Sequence, residues 1–156
     1  MINENWIFLG ALFSLVGGLS YVRDILRGKA RPNLVTWYIF MLAPMIAFAS
    51  MISQGVGFRQ SLLTFMVGFN PLMIAVTGTF FTKHPKWKIT RFDVYCGALS
   101  LLGLALWGIT REGNVAIALS IAADFLAFIP TIVKGYRYPD TESPWLFMFG
   151  LANATI

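Results

Sequence analysis

PNLVTWYIFMLAPMIAFASMISQGVGF, residues 32–58, contains no charged side chain. A helix rises about 1.5 Å per residue, so about 20 such residues cross the roughly 30 Å hydrocarbon core of a bilayer. Backbone groups in lipid must find their hydrogen bonds inside the protein, and this uniformly apolar run lacks the alternation of a barrel strand. A transmembrane helix is the solution left. Asn33, next to Pro32, is placed to cap its start. Working outward, residues 5–22, 60–82 and 94–110 are also charge-free, and 113–133 holds only Asp124. The expected fold class is all-α, a polytopic membrane helical bundle with spans at about 6–27, 34–54, 61–81, 92–110 and 114–135. A sixth apolar run opens at Ser143-Pro144, a cap followed by proline in the first turn. Residues 143–156 rise only about 21 Å as a helix, so the chain reads as C-terminally incomplete.

Composition excludes other classes. Hydrophobic residues make up 57% and charged residues 12%, against roughly 45–50% and 25% in soluble domains. Twelve basic and seven acidic residues cannot build a polar shell around this much apolar surface. A soluble enzyme and a disordered tail are thereby excluded. The net charge of +5 sits in short clusters between apolar runs, which is no nucleic-acid face. The single Cys96 excludes an internal disulfide and a thiolate metal cage. His84 is alone in a basic loop, and no nucleophile, metal or phosphate-loop motif is present, so neither catalysis nor a cofactor is expected. The uncharged start, with no small-residue cleavage site, reads as a retained span rather than a signal peptide.

Basic residues orient the bundle. Arg23, Arg27, Lys29 and Arg31, then Lys83, Lys86, Lys88 and Arg91, then Lys134 and Arg137 fall on one side, with Arg59 and Arg111 on the other. The side rich in Lys and Arg is the cytoplasmic one. The expectation is an integral protein of the plasma (inner) membrane with its N-terminus outside. These charges serve topology and lipid headgroup contact.

The chain also resembles itself. The exit of the first helix, Ser20-Tyr21-Val22-Arg23-Asp24-Ile25-Leu26-Arg27-Gly28-Lys29, leads to Arg31-Pro32-Asn33 and Trp37. The exit of the fifth, Phe128-Ile129-Pro130-Thr131-Ile132-Val133-Lys134-Gly135-Tyr136-Arg137, leads to Pro139 and Pro144-Trp145. Trp37 and Trp145 are 108 residues apart, as are Lys29 and Arg137. The expected organisation is a first three-helix repeat over 1–81, a linker span over 82–113, and the start of a second repeat over 114–156. The whole would be a 3+1+3 architecture of parallel repeats, with a site at the repeat interface near the midplane.

The triplet unit, the N-out topology and the segment Pro130-Thr131-Ile132-Val133-Lys134-Gly135-Tyr136 with Ser143-Pro144-Trp145 resemble the PQ-loop superfamily, and within it the SWEET and semiSWEET sugar transporters. Thr131 follows Pro130 where the motif has glutamine, and Tyr21-Val22 stands where the first repeat would carry the proline. The resemblance implies a sugar as solute and a pocket asparagine on the third helix of each repeat, the placement of Asn70.

Several residues carry candidate roles. Asp124 lies within the fifth span, where a carboxylate costs at least about 2.5–3.5 kcal/mol and should face the bundle or a wet cavity. It reads either as a solute acceptor or proton-coupling group, or as a hydrogen-bonded link between helices. Asn70 precedes Pro71, which cannot donate to the carbonyl of Val67, so the amide can bond a ligand or the freed backbone. Asn153 and Ser50 are weaker pocket candidates, with Tyr38 and Phe69 as aromatic faces. Trp6, Trp37, Trp87 and Trp145 sit near expected interfaces, with Trp37 and Trp145 flanking the mouth of the path. Pro44, Pro71 and Pro130 each put one proline inside a span, as plain kinks or as hinges. Gly10, Ser14 and Gly18 form a small-residue stripe suited to close packing within the bundle or to dimerisation.

The expected function is a facilitator or uniporter of a small polar solute by alternating access. The alternatives are a non-catalytic membrane subunit or scaffold of a larger complex, or the same fold carrying an amino acid, nucleoside or vitamin. Expected partners are the lipid bilayer and the solute, with a homo-oligomer as a further candidate and no nucleic acid. Transport predicts that Asn70 and Asp124 share a hydrated cavity, whereas a scaffold predicts a dry centre.

Overall fold

The structure is a computed structural model that describes residues 6–110 and 113–154, with the backbone alone at 6, 107, 110, 113–117, 119, 120, 153 and 154. The helices are α1 (Trp6–Leu26), α2 (Leu34–Ser53), α3 (Phe58–Val76), α4 (Arg91–Thr110), α5 (Gly113–Arg137) and α6 (Pro144–Ala154). A π-helical turn, Thr77–Phe81, extends α3, and a 3-10 turn, Pro139–Thr141, precedes α6. The described residues contain no strand. Three segments, Ile7–Leu26, Leu34–Ser53 and Phe58–Phe81, are long and apolar enough to cross a membrane.

Local chemistry sets the helix ends. Gly28 takes φ 74 just past α1. There its N–H donates to the Ile25 carbonyl at 3.0 Å and Lys29 N–H donates to the Asp24 carbonyl at 2.8 Å. Gly55, φ 73, closes α2 in the same way, since only glycine enters this left-handed region without strain. Asn33 caps α2 by accepting from Val35 N–H. Helix α3 begins at Phe58, three residues before the expected start, because Gly57 is extended and the Ser61 hydroxyl bonds back to the carbonyls of Gly57 and Phe58. Pro44, Pro71 and Pro130 lie inside α2, α3 and α5 without ending them.

Helix α3 packs against both α1 and α2. Helix α6 lies on α1, α5 on α4, and α2 touches both α4 and α5. The buried cluster of Tyr21, Ile25, Ala30, Trp37, Ile74 and Ala75 gathers where α1, α2 and α3 meet, with Leu146 of α6 against it. Trp37, expected at a membrane interface, is only 4% exposed. Its ring meets Tyr21 edge-on at 5.3 Å, so packing between α1 and α2 overrides the interfacial preference of indole. Elsewhere large apolar side chains such as Leu12, Leu19, Ile46, Ile52, Leu99 and Leu102 face outward, as lipid contact allows.

Adjacent glycines serve two neighbours. A Cβ on Gly17 would lie 3.1 Å from Cβ of Phe149 on α6, and one on Gly18 would lie 2.5 Å from Oδ1 of Asn70 on α3. The small-residue stripe of α1 is thus used inside the bundle, with Ser14 and Gly18 both against Asn70. Gly18→Ala is expected to destabilise the fold by about 1–3 kcal/mol through overpacking, read as a lowered SDS midpoint of unfolding. Gly57→Ala, where nothing lies within 4 Å of the added Cβ, should move that midpoint far less.

Candidate functional site: the polar layer at the basic end

The basic loops converge where α1 and α5 end and α2, α4 and α6 begin. A layer of buried polar side chains ties these elements together. Lys134, on the last turns of α5, forms an ion pair with Glu142, which precedes α6. Tyr21 of α1 donates its hydroxyl to the same Glu142 carboxylate. The side chains of Lys134 and Glu142 are 1% and 9% exposed, so this pair is shielded from water and its geometry matters. Lys134 also donates to the Thr141 carbonyl at 3.3 Å and lies 5.0 Å from the ring of Trp87.

Further bonds cross the layer. Ser143, the residue before α6, donates its hydroxyl to Asp24 of α1 at 2.6 Å. Thr131 of α5 donates to the Thr36 hydroxyl in the first turn of α2 at 3.1 Å, and Thr36 donates onward to the Ala127 carbonyl at 2.8 Å. The Ser143–Asp24 and Thr131–Thr36 bonds each join the last turns of one helix to the entry of another. Asp24 and Thr131 are 107 residues apart in the chain, and so are Thr36 and Ser143. Asn33 closes the layer toward α4. Its Nδ2 donates to Asp93 at 2.9 Å, and Asp93 also accepts from the N–H and hydroxyl of Thr90. Each buried charge in the layer therefore has a partner, as burial requires. A wall of aromatic rings adjoins the layer. Phe40 of α2 meets Phe128 of α5 at 5.7 Å, and Phe128 meets Phe147 of α6 at 6.2 Å.

The residues expected to bind solute are scattered. Asn70 is buried, and its Nδ2 donates to both the carbonyl and the hydroxyl of Ser14 at 2.8 Å, which straps α3 to α1. Its Oδ1 is buried without a donor. Asp124 is exposed on α5, on the face it shares with Ile121 and Phe125. That face turns outward because the buried side of α5 is taken by Ala123, Ala127, Pro130, Thr131 and Lys134. The structure does not bring Asn70 and Asp124 together, and neither lines the three cavities at the basic end. Ser50 is exposed in the last turns of α2 and accepts a bond from Gln54. Trp145 is half-exposed at the start of α6, whereas Trp37 is in the core. The Asn153 side chain lies outside the described residues. Tyr38 bonds the Thr79 hydroxyl at 2.8 Å, and Phe69 stacks on Phe65 at 5.1 Å.

The layer is made of residues whose sequence reading pointed elsewhere. Lys134 counts there as a topology charge, Ser143 as a cap, and Tyr21 and Asp24 as parts of a repeat. The available signal was the shared exit chemistry of the first and fifth helices, which contains Tyr21, Asp24, Thr131 and Lys134. Among the described residues no three His, Cys, Asp or Glu side chains gather to hold a metal ion. No protein-family model matches the chain, and neither does any curated protein or solved structure.

Proposed function

We propose that this chain is a membrane transporter of a small polar solute, a facilitator in which two helical bundles rock about the polar layer. The observation that carries the reading is the pair of bonds Asp24–Ser143 and Thr131–Thr36. A displacement of 107 residues along the chain, one short of the 108 that relates Trp37 to Trp145, carries the partners of one onto those of the other. In space, α1 meets α6 and α5 meets α2. This exchange is what two parallel repeats, α1–α3 and a second beginning at α5, would produce around an axis normal to the membrane, with α4 as the linker and five full spans. The resemblance to the PQ-loop superfamily supports the same reading and makes a sugar the first solute to test. On this reading the layer and the aromatic rings form the gate at the basic end. Transport requires them to part, with Pro44, Pro71 and Pro130 as the bending points.

The test is solute uptake into proteoliposomes. In a Cys96→Ala background, Asp24→Cys and Ser143→Cys together should allow oxidation to lock the layer. We expect saturable sugar uptake to fall at least about tenfold on oxidation, since a trapped conformation cannot alternate. Reduction should restore it. Equal flux in both states would remove the layer from the transport path. Asn70→Ala alone is not decisive, because Asn70 also holds α3 on α1.

A second reading is favoured by one observation. Asp124 and its outward neighbours Ile121 and Phe125 lie on an uncovered face of α5, as a membrane subunit docking onto another protein would present them. Absence of uptake for sugars, amino acids, nucleosides and vitamins would leave this reading in place.

A further inference from the structure

We propose that the cavity of about 900 Å³ between the third loop, α4 and the end of α5 is a binding site for a phosphate-bearing anion. Its walls bring together Arg31, Lys86, Lys88, Lys134 and Arg137 from three separate stretches of the chain. Asp93 is the single carboxylate in the lining, and its charge is already met by Asn33 and Thr90. Lys134 is balanced by Glu142. Arg31, Lys88 and Arg137 are exposed, and no ion pair is formed by them among the described residues.

Topology alone asks only that cations lie on the right side of the membrane, not that they line one hollow. Here they surround a space large enough for a headgroup, beside apolar surface from Phe92, Val133 and Pro130. Trp87 and Tyr138, in edge contact at 5.4 Å, complete the wall. An anion with several acceptor oxygens and an apolar tail or ring matches this lining. Two sources share that chemistry: the headgroup of an anionic phospholipid, and a soluble phosphate compound. Basic pockets between helices at this depth are suited to the first.

The test uses the full chain in detergent, titrated with phosphatidylglycerol or phosphatidylcholine and followed by native mass spectrometry. A parallel thermal-shift series uses inorganic phosphate. Each cation near an anionic headgroup is worth roughly fivefold in affinity, so Arg31→Gln with Arg137→Gln should weaken phosphatidylglycerol binding about 25-fold. Lys29→Gln with Lys83→Gln removes equal charge from nearby positions outside the cavity and should change it less than about twofold. That result, with phosphatidylcholine bound weakly throughout, supports the site and names a lipid as its source. Stabilisation of the wild type by phosphate, lost in the cavity variant, with the two lipids bound alike, supports the site and names a soluble phosphate. Equal losses in the two double variants, or no probe that separates the wild type from the cavity variant, would overturn the proposal.

Discussion

Glu142→Gln is expected to cost about 3–5 kcal/mol of folding stability, the penalty for leaving a buried charge without its partner. Lys134 would be left with a side chain only 1% exposed, held by the Thr141 carbonyl and the Trp87 ring and without a carboxylate. The Tyr21 hydroxyl loses its charged acceptor in the same step. Unfolding in SDS, followed by circular dichroism, would register the loss as a large fall in the midpoint. A second variant separates charge from contact. Glu142→Gln combined with Lys134→Met removes both charges and should recover a substantial part of the lost stability, because an apolar replacement of a buried pair is tolerated. A cost below about 1 kcal/mol for Glu142→Gln would mean that the pair behaves as a solvent-screened surface bridge.

The second large effect is expected at Asn33, which is fully buried. Its Oδ1 accepts from Val35 N–H at 3.2 Å, and its Nδ2 donates to Asp93 at 2.9 Å. Asn33→Ala removes a helix cap, worth about 1 kcal/mol, and a hydrogen bond to a buried charge, worth about 1.5–3 kcal/mol. The expected total is about 2–4 kcal/mol by SDS unfolding. Asn33→Asp keeps the cap acceptor but faces Asp93 with a second carboxylate, so it should do no better than alanine. If Asn33→Asp proved as stable as the wild type, the contact with Asp93 would carry none of this energy.

The transport reading and the stability of the layer are linked through the same bonds. Alternation would have to break Asp24–Ser143, Thr131–Thr36, Thr36–Ala127 and Tyr21–Glu142 while leaving each bundle intact. The packing of α3 on α1, secured by the Asn70–Ser14 bonds and the close approach at Gly18, is of the kind that remains intact. Asn70 is therefore read as a residue that holds one bundle rigid, whereas a partner for its Oδ1 would have to come from outside the described bonds.

The helices themselves were legible in the residues. Long apolar runs, with Asn33 and Pro144 marking two of the starts, placed α1 to α5 to within a few residues and the start of α6. This is so because length, hydropathy and capping are local properties, and a backbone in lipid has few alternatives to a helix. The likeness between the two helix exits was legible for the same reason, as a pattern along the chain.

Which side of each helix meets which neighbour was decided only by the tertiary structure. Uniformly apolar helices carry little amphipathic signal, so nothing in the residues announced that Asp124 would turn outward or that Trp37 would leave the interface for the core. Nor did Lys134, one cation among ten at that end, stand out as the member bound to a carboxylate eight residues ahead. Such pairings depend on how helices distant in sequence are rotated and set against one another. Packing fixes that rotation through contacts such as Gly17 with Phe149 and Gly18 with Asn70, and a single strand of sequence holds each partner without the distance between them.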